Sequence, residues 1–303
     1  MFLNLSQLAK HQRLVGGRKR RVRPIKIRPS RANELWYKSQ LLAIVKKVRG
    51  LAEISLKSAA SSYMTEATHD EIPGWIADAI KHAAQNMGGI ERQAALLAGL
   101  AAKRNLQSVD AQFISQVKSA LGVDLTNLLQ PDSVKGMFGK AVTANVTLIK
   151  SIPSQYFGTL EEAITKNWID GMRQESLIDT IMHIGDVTES RAELIARDQT
   201  SKMNSSFNMV RQLSVGINKY QWQTAGDERV REEHADLDGQ EFRWDDPPPD
   251  GNPGEPVNCR CIGLPIFTTE DDEESTNPDS AITSAVSAYQ FGGAIGELAN
   301  KYG

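Results

Sequence analysis

The sequence predicts an α+β protein, with a predominantly helical N-terminal region followed by a small α+β C-terminal module containing a few antiparallel strands. Three observations carry this. Apolar residues recur at three- and four-residue steps over most of the chain from Glu34 to about Leu213, the period of a helix face. The period then changes to two, with Tyr220, Trp222 and Thr224 alternating with Gln221 and Gln223 as on a half-buried strand. Asp245 to Pro256 is dense in Pro, Gly and Asp, which is loop composition.

Four regions follow: a basic extended arm over 1–32, a helical domain over 33–188, the α+β module over 189–267, and an acidic linker with a C-terminal tail over 268–303. In the arm, the rhythm of Val22, Ile25 and Ile27 is too weak to define a buried strand. Leu35, Leu42, Val45, Val48 and Leu51 place a long amphipathic helix after it. Pro73-Gly74 precedes a helix over 76–84, and Gly88-Gly89 separates it from the Ala/Leu-rich run of 92–103. Ser108, Phe113, Val117 and Leu121 before Gly122 read as a further capped helix, and Val134 to Ile149 as another, ended by Pro153. Thr159-x-x-Glu162 and Ser190-x-x-Glu193 are capping-box patterns, the second opening the stripe Ile195, Met203, Phe207 and Val210 that Gly216 stops. Asp238-Gly239 marks a tight turn before Phe242 and Trp244, 257–267 reads as extended, and Ile282, Val286 and Tyr289 share one face of a short last helix.

The 303 residues are 40% hydrophobic and 24% charged, enough for about two domains at ~100–200 residues each. The longest strongly apolar stretch, Ala94 to Ala102, is far short of the ~20 residues of a spanning helix, so neither membrane crossing nor Sec-type export is expected. The near-neutral total, 35 basic against 37 acidic residues, hides a gradient. Residues 1–32 hold ten Lys/Arg and no acid, whereas 225–279 hold seventeen acids and four Arg. Arg18, Lys19, Arg20, Arg21, Arg23, Lys26 and Arg28 are candidate phosphate contacts, since Lys and Arg release counterions from nucleic acid without reading sequence. The alternative is a solvated tail. No aromatic residue interleaves them, so base stacking is not expected.

Unusual chemistry concentrates in 222–261. Cys259 and Cys261, if extended, point to one side, and His234 can join them as metal ligands, zinc being the natural ion for thiolate and imidazole. A fourth ligand would come from a carboxylate such as Asp227, Asp236 or Asp238. The opposing reading has His234 buttressing a turn, both Cys packed as small apolar groups with no cofactor at all, and Asp227 paired with Arg229 or Arg231. A nucleophilic Cys259/His234 pair lacks an identifiable orienting group. No Walker-type loop or dinucleotide fingerprint occurs.

The ordered series Ala196-Arg197-Asp198-Gln199-Thr200, Asn204, Tyr220-x-Trp222, Asp227-x-Arg229, His234, Leu237-Asp238-Gly239, the Pro-rich loop and Asn258-Cys259-Arg260-Cys261 resembles the phage Mu F-like minor head proteins of tailed double-stranded DNA phages. The resemblance covers about Ser190 to Pro265 and departs from the family at Asp198-Gln199, so no ion-pair role is carried over to that helix. Some relatives have a further Cys near the position of Arg231. The resemblance implies a non-enzymatic minor capsid protein of head morphogenesis, incorporated in low copy near the portal vertex during procapsid assembly. Its implied partners are the portal protein, the scaffold or major capsid protein and, through the basic arm, packaged DNA; no membrane is involved. Its implied location is the virion, with assembly in the host cytoplasm. The competing reading is a metal-dependent nucleic-acid-processing or toxin-like enzyme built on His234, Cys259 and Cys261. A stand-alone DNA-binding protein lacks a recognisable base-reading motif.

Overall fold

The computed structural model describes residues 5, 25–63, 74–169, 174–267 and 277–291. Among them the elements are α1 (Arg31–Tyr63), α2 (Gly74–Gln85), α3 (Ile90–Leu121), a 3-10 turn (Pro131–Val134), α4 (Lys135–Ile169), α5 (Gln174–Ser214), β1 (Lys219–Gln223), α6 (Glu232–Asp236), β2 (Glu241–Arg243), β3 (Ile262–Pro265) and α7 (Pro278–Ala288). The α+β class is as the sequence predicts, with seven helices and a three-stranded antiparallel sheet in the C-terminal region among the described residues.

Several helices run longer than local signals suggest. No stop separates 92–103 from 108–121, and α3 is continuous; Asn105 within it donates back to the Ala101 carbonyl at 2.9 Å. Pro153 does not end α4. A proline costs a helix interior about 3 kcal/mol, and here Ile149, Ile152, Tyr156, Phe157 and Leu160 are all buried around it, so the apolar stripe outweighs the lost backbone bond. Both capping-box patterns lie inside helices. Ser190 instead returns its hydroxyl to the Asp186 carbonyl at 3.1 Å. On α1 the buried stripe is Tyr37, Leu41, Ile44, Val45, Val48, Ala52 and Leu56, while Leu35 faces outward.

Two compact units result, each drawn from separated stretches of sequence. The first takes Met1–Glu34, Gly99–Ala144 and Arg197–Gly296; the second takes Leu35–Ala98 and Asn145–Ala196. The second unit is wholly helical among the described residues, with the α1 stripe, Ile149, Ile152, Tyr156, Leu160, Ala192 and Ile195 in its interior. A buried polar contact within it joins the Tyr37 hydroxyl to Asn145 Oδ1 at 2.8 Å, and burial pushes the Tyr37 pKa upward.

The first unit holds the sheet, in the order β2-β1-β3. β1 alternates as the sequence implies, with Tyr220 and Trp222 buried and Lys219, Gln221 and Gln223 partly open. Tyr220 pairs with Phe242 in β2 and with Pro265 in β3, which fixes the register. Gly239, at φ 82°, makes the turn the Asp-Gly pair announces. Residues 25–28 lie extended along α3: Gln112 accepts from the Arg28 amide at 2.9 Å and returns a bond to the Arg28 carbonyl at 3.1 Å, and Gln116 donates to the Ile25 carbonyl. Ile27 is buried beneath them.

Trp244 closes the sheet by lying over Gly263. A Cβ at Gly263 would sit 2.5 Å from the Trp244 ring and 3.2 Å from Tyr220 Cδ2. Gly263→Ala is therefore expected to lower stability by about 1–3 kcal/mol in urea titration; an unchanged midpoint would show this packing to be loose.

Candidate functional site

The site is built on α5. Every residue from 198 to 213 is buried, although Asp198, Gln199, Thr200, Ser201, Lys202, Asn204, Ser205, Ser206, Asn208, Arg211 and Gln212 are polar. A helix buried on all faces is ordinarily apolar all round, so each of these polar groups requires a partner. The partners are largely backbone. Ser201 donates to the Cys259 carbonyl at 2.6 Å, Ser205 to the Pro253 carbonyl, and Asn208 and Gln212 to the Gly263 carbonyl at 3.2 and 3.1 Å. Gln212 Oε1 accepts from the Trp244 indole at 3.1 Å. Arg211 forks onto Asp110 at 2.7 and 3.0 Å and reaches the Gln130 carbonyl.

Asp198 and Lys202 form an ion pair at 3.1 Å with side-chain exposures of 1% and 0%. The sequence reading assigned this helix no ion pair. Burial raises the Asp198 pKa, and Lys202 is the chief opposing influence. The pair is enclosed by a short C-terminal strap: Phe291 offers its carbonyl to Gln199 at 3.1 Å and to Lys202 at 3.4 Å, and Tyr289 donates to the Lys202 carbonyl at 3.1 Å. Asp198 also accepts from the Asn258 amide at 2.8 Å, which fixes the entry to the Asn258-Cys259-Arg260-Cys261 run. Asn258 has φ 58°, a left-handed conformation that Asn tolerates better than most residues.

That run carries both cysteines to His234 on α6. The ligand atoms of His234, Cys259 and Cys261 lie within 4.8 Å of one another, and all three residues are buried. Nδ1 is 3.6 Å from each Sγ. On the far side of the ring, Nε2 lies 2.7 Å from Asp250 Oδ2, a residue the sequence reading did not single out. Gly254 donates its amide to Cys259 Sγ at 3.3 Å, and Trp222 packs edge-on against the imidazole at 5.2 Å. The Cys261 thiol, by donating to Cys259, pulls the Cys259 pKa well below its ordinary value, and the Cys259 sulfur in turn pushes Cys261 up. His234 is raised, chiefly by its bond with Cys259.

The candidate carboxylates stand elsewhere. Asp227 is held in a two-pronged pair by Arg260 at 2.5 and 2.6 Å, which lowers its pKa to about 2, and Arg229 lies farther off at 3.6 Å. Asp238 accepts from the Thr224 amide and hydroxyl at 2.7 and 3.0 Å, and Asp236 is exposed. Arg231 points its guanidinium at the Val257 carbonyl, 2.7 Å away, and toward Asp250. Of the basic arm, Lys26 and Arg28 are exposed on the segment docked to α3, while Arg18, Lys19, Arg20, Arg21 and Arg23 lie outside the described residues.

Replacing Lys202 with Met would leave the Asp198 carboxylate buried without its cation, so Lys202→Met is expected to cost about 3–5 kcal/mol by chemical denaturation. The double change Asp198→Asn with Lys202→Met should recover much of that loss, and additive losses would show that the two charges are not coupled.

Three comparisons bear on this geometry. Residues 158–263 match the family described as Phage Mu protein F like protein, a span reaching from within α4, through α5 and both cysteines, into β3. An uncharacterized protein of Haemophilus influenzae strain Rd is 34% identical over 291 residues, covering 94% of this chain and 62% of that relative's length. No solved structure matches significantly. The matched span contains the buried α5 segment, His234, Asp250, Cys259 and Cys261 together, so the part of this chain that is similar to the Phage Mu protein F like family is the part that builds the site.

Proposed function

We propose that the protein is a minor structural component of a tailed-phage head, incorporated in low copy at or near the portal vertex during procapsid assembly. The match over residues 158–263 carries this reading, because the family is one of structural head proteins. The use made of the motif side chains supports it. Ser201, Ser205, Asn208 and Asp198 are bonded to the backbone of their own module and are buried, so the motif specifies a fold. No helix among the described residues is long and apolar enough to cross a membrane.

Packaged DNA is the proposed partner of the basic N-terminal region. Lys26 and Arg28 stand out from a segment pinned on α3, which gives cations a fixed seat beside the further Lys and Arg of the preceding sequence. Such contacts neutralise phosphates and weaken steeply with salt. Proposed protein partners are the portal and the scaffold or major capsid protein.

Deletion of residues 1–31 is expected to abolish salt-sensitive binding to double-stranded DNA in a gel-shift assay, with Lys26→Glu/Arg28→Glu weakening it in part; undiminished binding after the deletion would remove DNA from the list of partners. Cryo-electron microscopy of heads of the encoding phage, reconstructed without imposed symmetry, combined with mass spectrometry of the same particles, tests the location. A few copies at the portal vertex are expected, and absence from both procapsids and mature heads would overturn the head role.

A further inference from the structure

We propose that His234 Nδ1, Cys259 Sγ and Cys261 Sγ bind one zinc ion, with Asp250 as the positioning residue of the imidazole and a water molecule in the fourth coordination position. The distances carry the argument. Zinc bonded to sulfur at about 2.3 Å and to nitrogen at about 2.1 Å, at the tetrahedral angle, separates the two donors by about 3.6 Å. Both Nδ1 to Sγ separations have that value. Among the described residues no fourth His, Cys, Asp or Glu joins the cluster, and the nearby acids Asp227 and Asp238 are bonded to Arg260 and Thr224. Water therefore completes the shell.

The imidazole is set for a ligand. Asp250 on Nε2 favours the tautomer with its proton there, which turns the Nδ1 lone pair toward the two sulfurs. The Gly254 amide aimed at Cys259 Sγ is the kind of donor that steadies a buried thiolate. One divalent ion balances two thiolates and a neutral imidazole, so the buried site carries no net charge and escapes the cost of isolated buried ions. Sulfur with nitrogen selects zinc over calcium or magnesium, which take oxygen.

The same atoms suggest a nucleophilic Cys–His–Asp arrangement, and two observations oppose it. Nδ1 is equidistant from both sulfurs, whereas a base serves one nucleophile, and each cysteine is only 4% exposed, which leaves a substrate no approach. The ion instead closes the loop that runs from α6 through the Pro-rich segment to β3.

The test uses the full chain, purified from zinc-supplemented medium without chelators. About one zinc per chain is expected by elemental analysis, with Cys261→Ser and His234→Ala each losing most of it. Asp250→Asn should retain the fold and weaken zinc binding about 10–100-fold in a competition titration with a chromophoric chelator. Should the cysteine or histidine variants fail to fold, exchange of cobalt(II) into the wild-type chain decides: visible bands of tetrahedral cobalt with thiolate charge transfer support the site. A wild-type chain with neither zinc nor those bands overturns it, as does one metal-free cysteine that alkylates fast at neutral pH. Location in the phage head is read from particles, so either proposal can fail without the other.

Discussion

A helix segment buried on every face and lined with polar side chains is the constraint around which the first unit is arranged. Residues 198–213 of α5 have no solvent to satisfy them, and an unmet buried hydrogen-bonding group costs about 1–3 kcal/mol. The chain answers by bringing the backbone of 253–263 and the strap at 289–291 onto that helix, where the Pro253, Cys259, Gly263 and Phe291 carbonyls accept from its side chains, Gly263 and Phe291 from two each. Hydrogen bonds have direction, so this interior specifies where each segment lies more sharply than a greasy helix would, and the buried Asp198–Lys202 pair adds the same kind of demand.

The placement of the cysteines follows. Asp198 grips the Asn258 amide, Ser201 grips the Cys259 carbonyl, and the left-handed turn at Asn258 sets the direction in which the run leaves toward β3. Gly254 reaches the Cys259 sulfur because its own backbone, at φ 84°, runs so close to α5 that an added Cβ would meet Ser205 at 2.6 Å. The geometry at His234 is thus inherited from α5, which fixes the backbone on which the two cysteines sit.

Much of this was legible in the sequence, and the exceptions share a cause. Periodicity found the helices and the alternation at Tyr220 and Trp222, because burial of one face leaves a repeating trace. Pro153, Thr159 and Ser190 misled because capping and proline rules describe local cost, and tertiary burial around Ile152 and Tyr156 exceeds that cost. His234, Cys259 and Cys261 could be named because their residue types are rare and chemically specific. Asp250 could not, being one acid among many in an acidic stretch, and its role exists only through a contact made sixteen positions away. The polar residues of α5 were equally silent: Ser, Asn and Gln on a helix read as a solvated face, and only the loop, β3 and the strap laid over them reveal otherwise.

The strap at Tyr289 and Phe291 has a consequence for how the chain is made. Its contacts with Gln199 and Lys202 span 92 and 87 residues of sequence, and Arg211 reaches back 101 residues to Asp110. Closures of that length are slow relative to helix formation. During synthesis α5 therefore emerges from the ribosome and coils well before its covering segments exist, and it must wait in water. In that interval Met203, Phe207, Val210 and Leu213 are interleaved with Asp198, Lys202, Ser205, Asn208 and Gln212, so the polar groups that dictate the finished architecture also keep the waiting helix more hydrated than an all-apolar one would be.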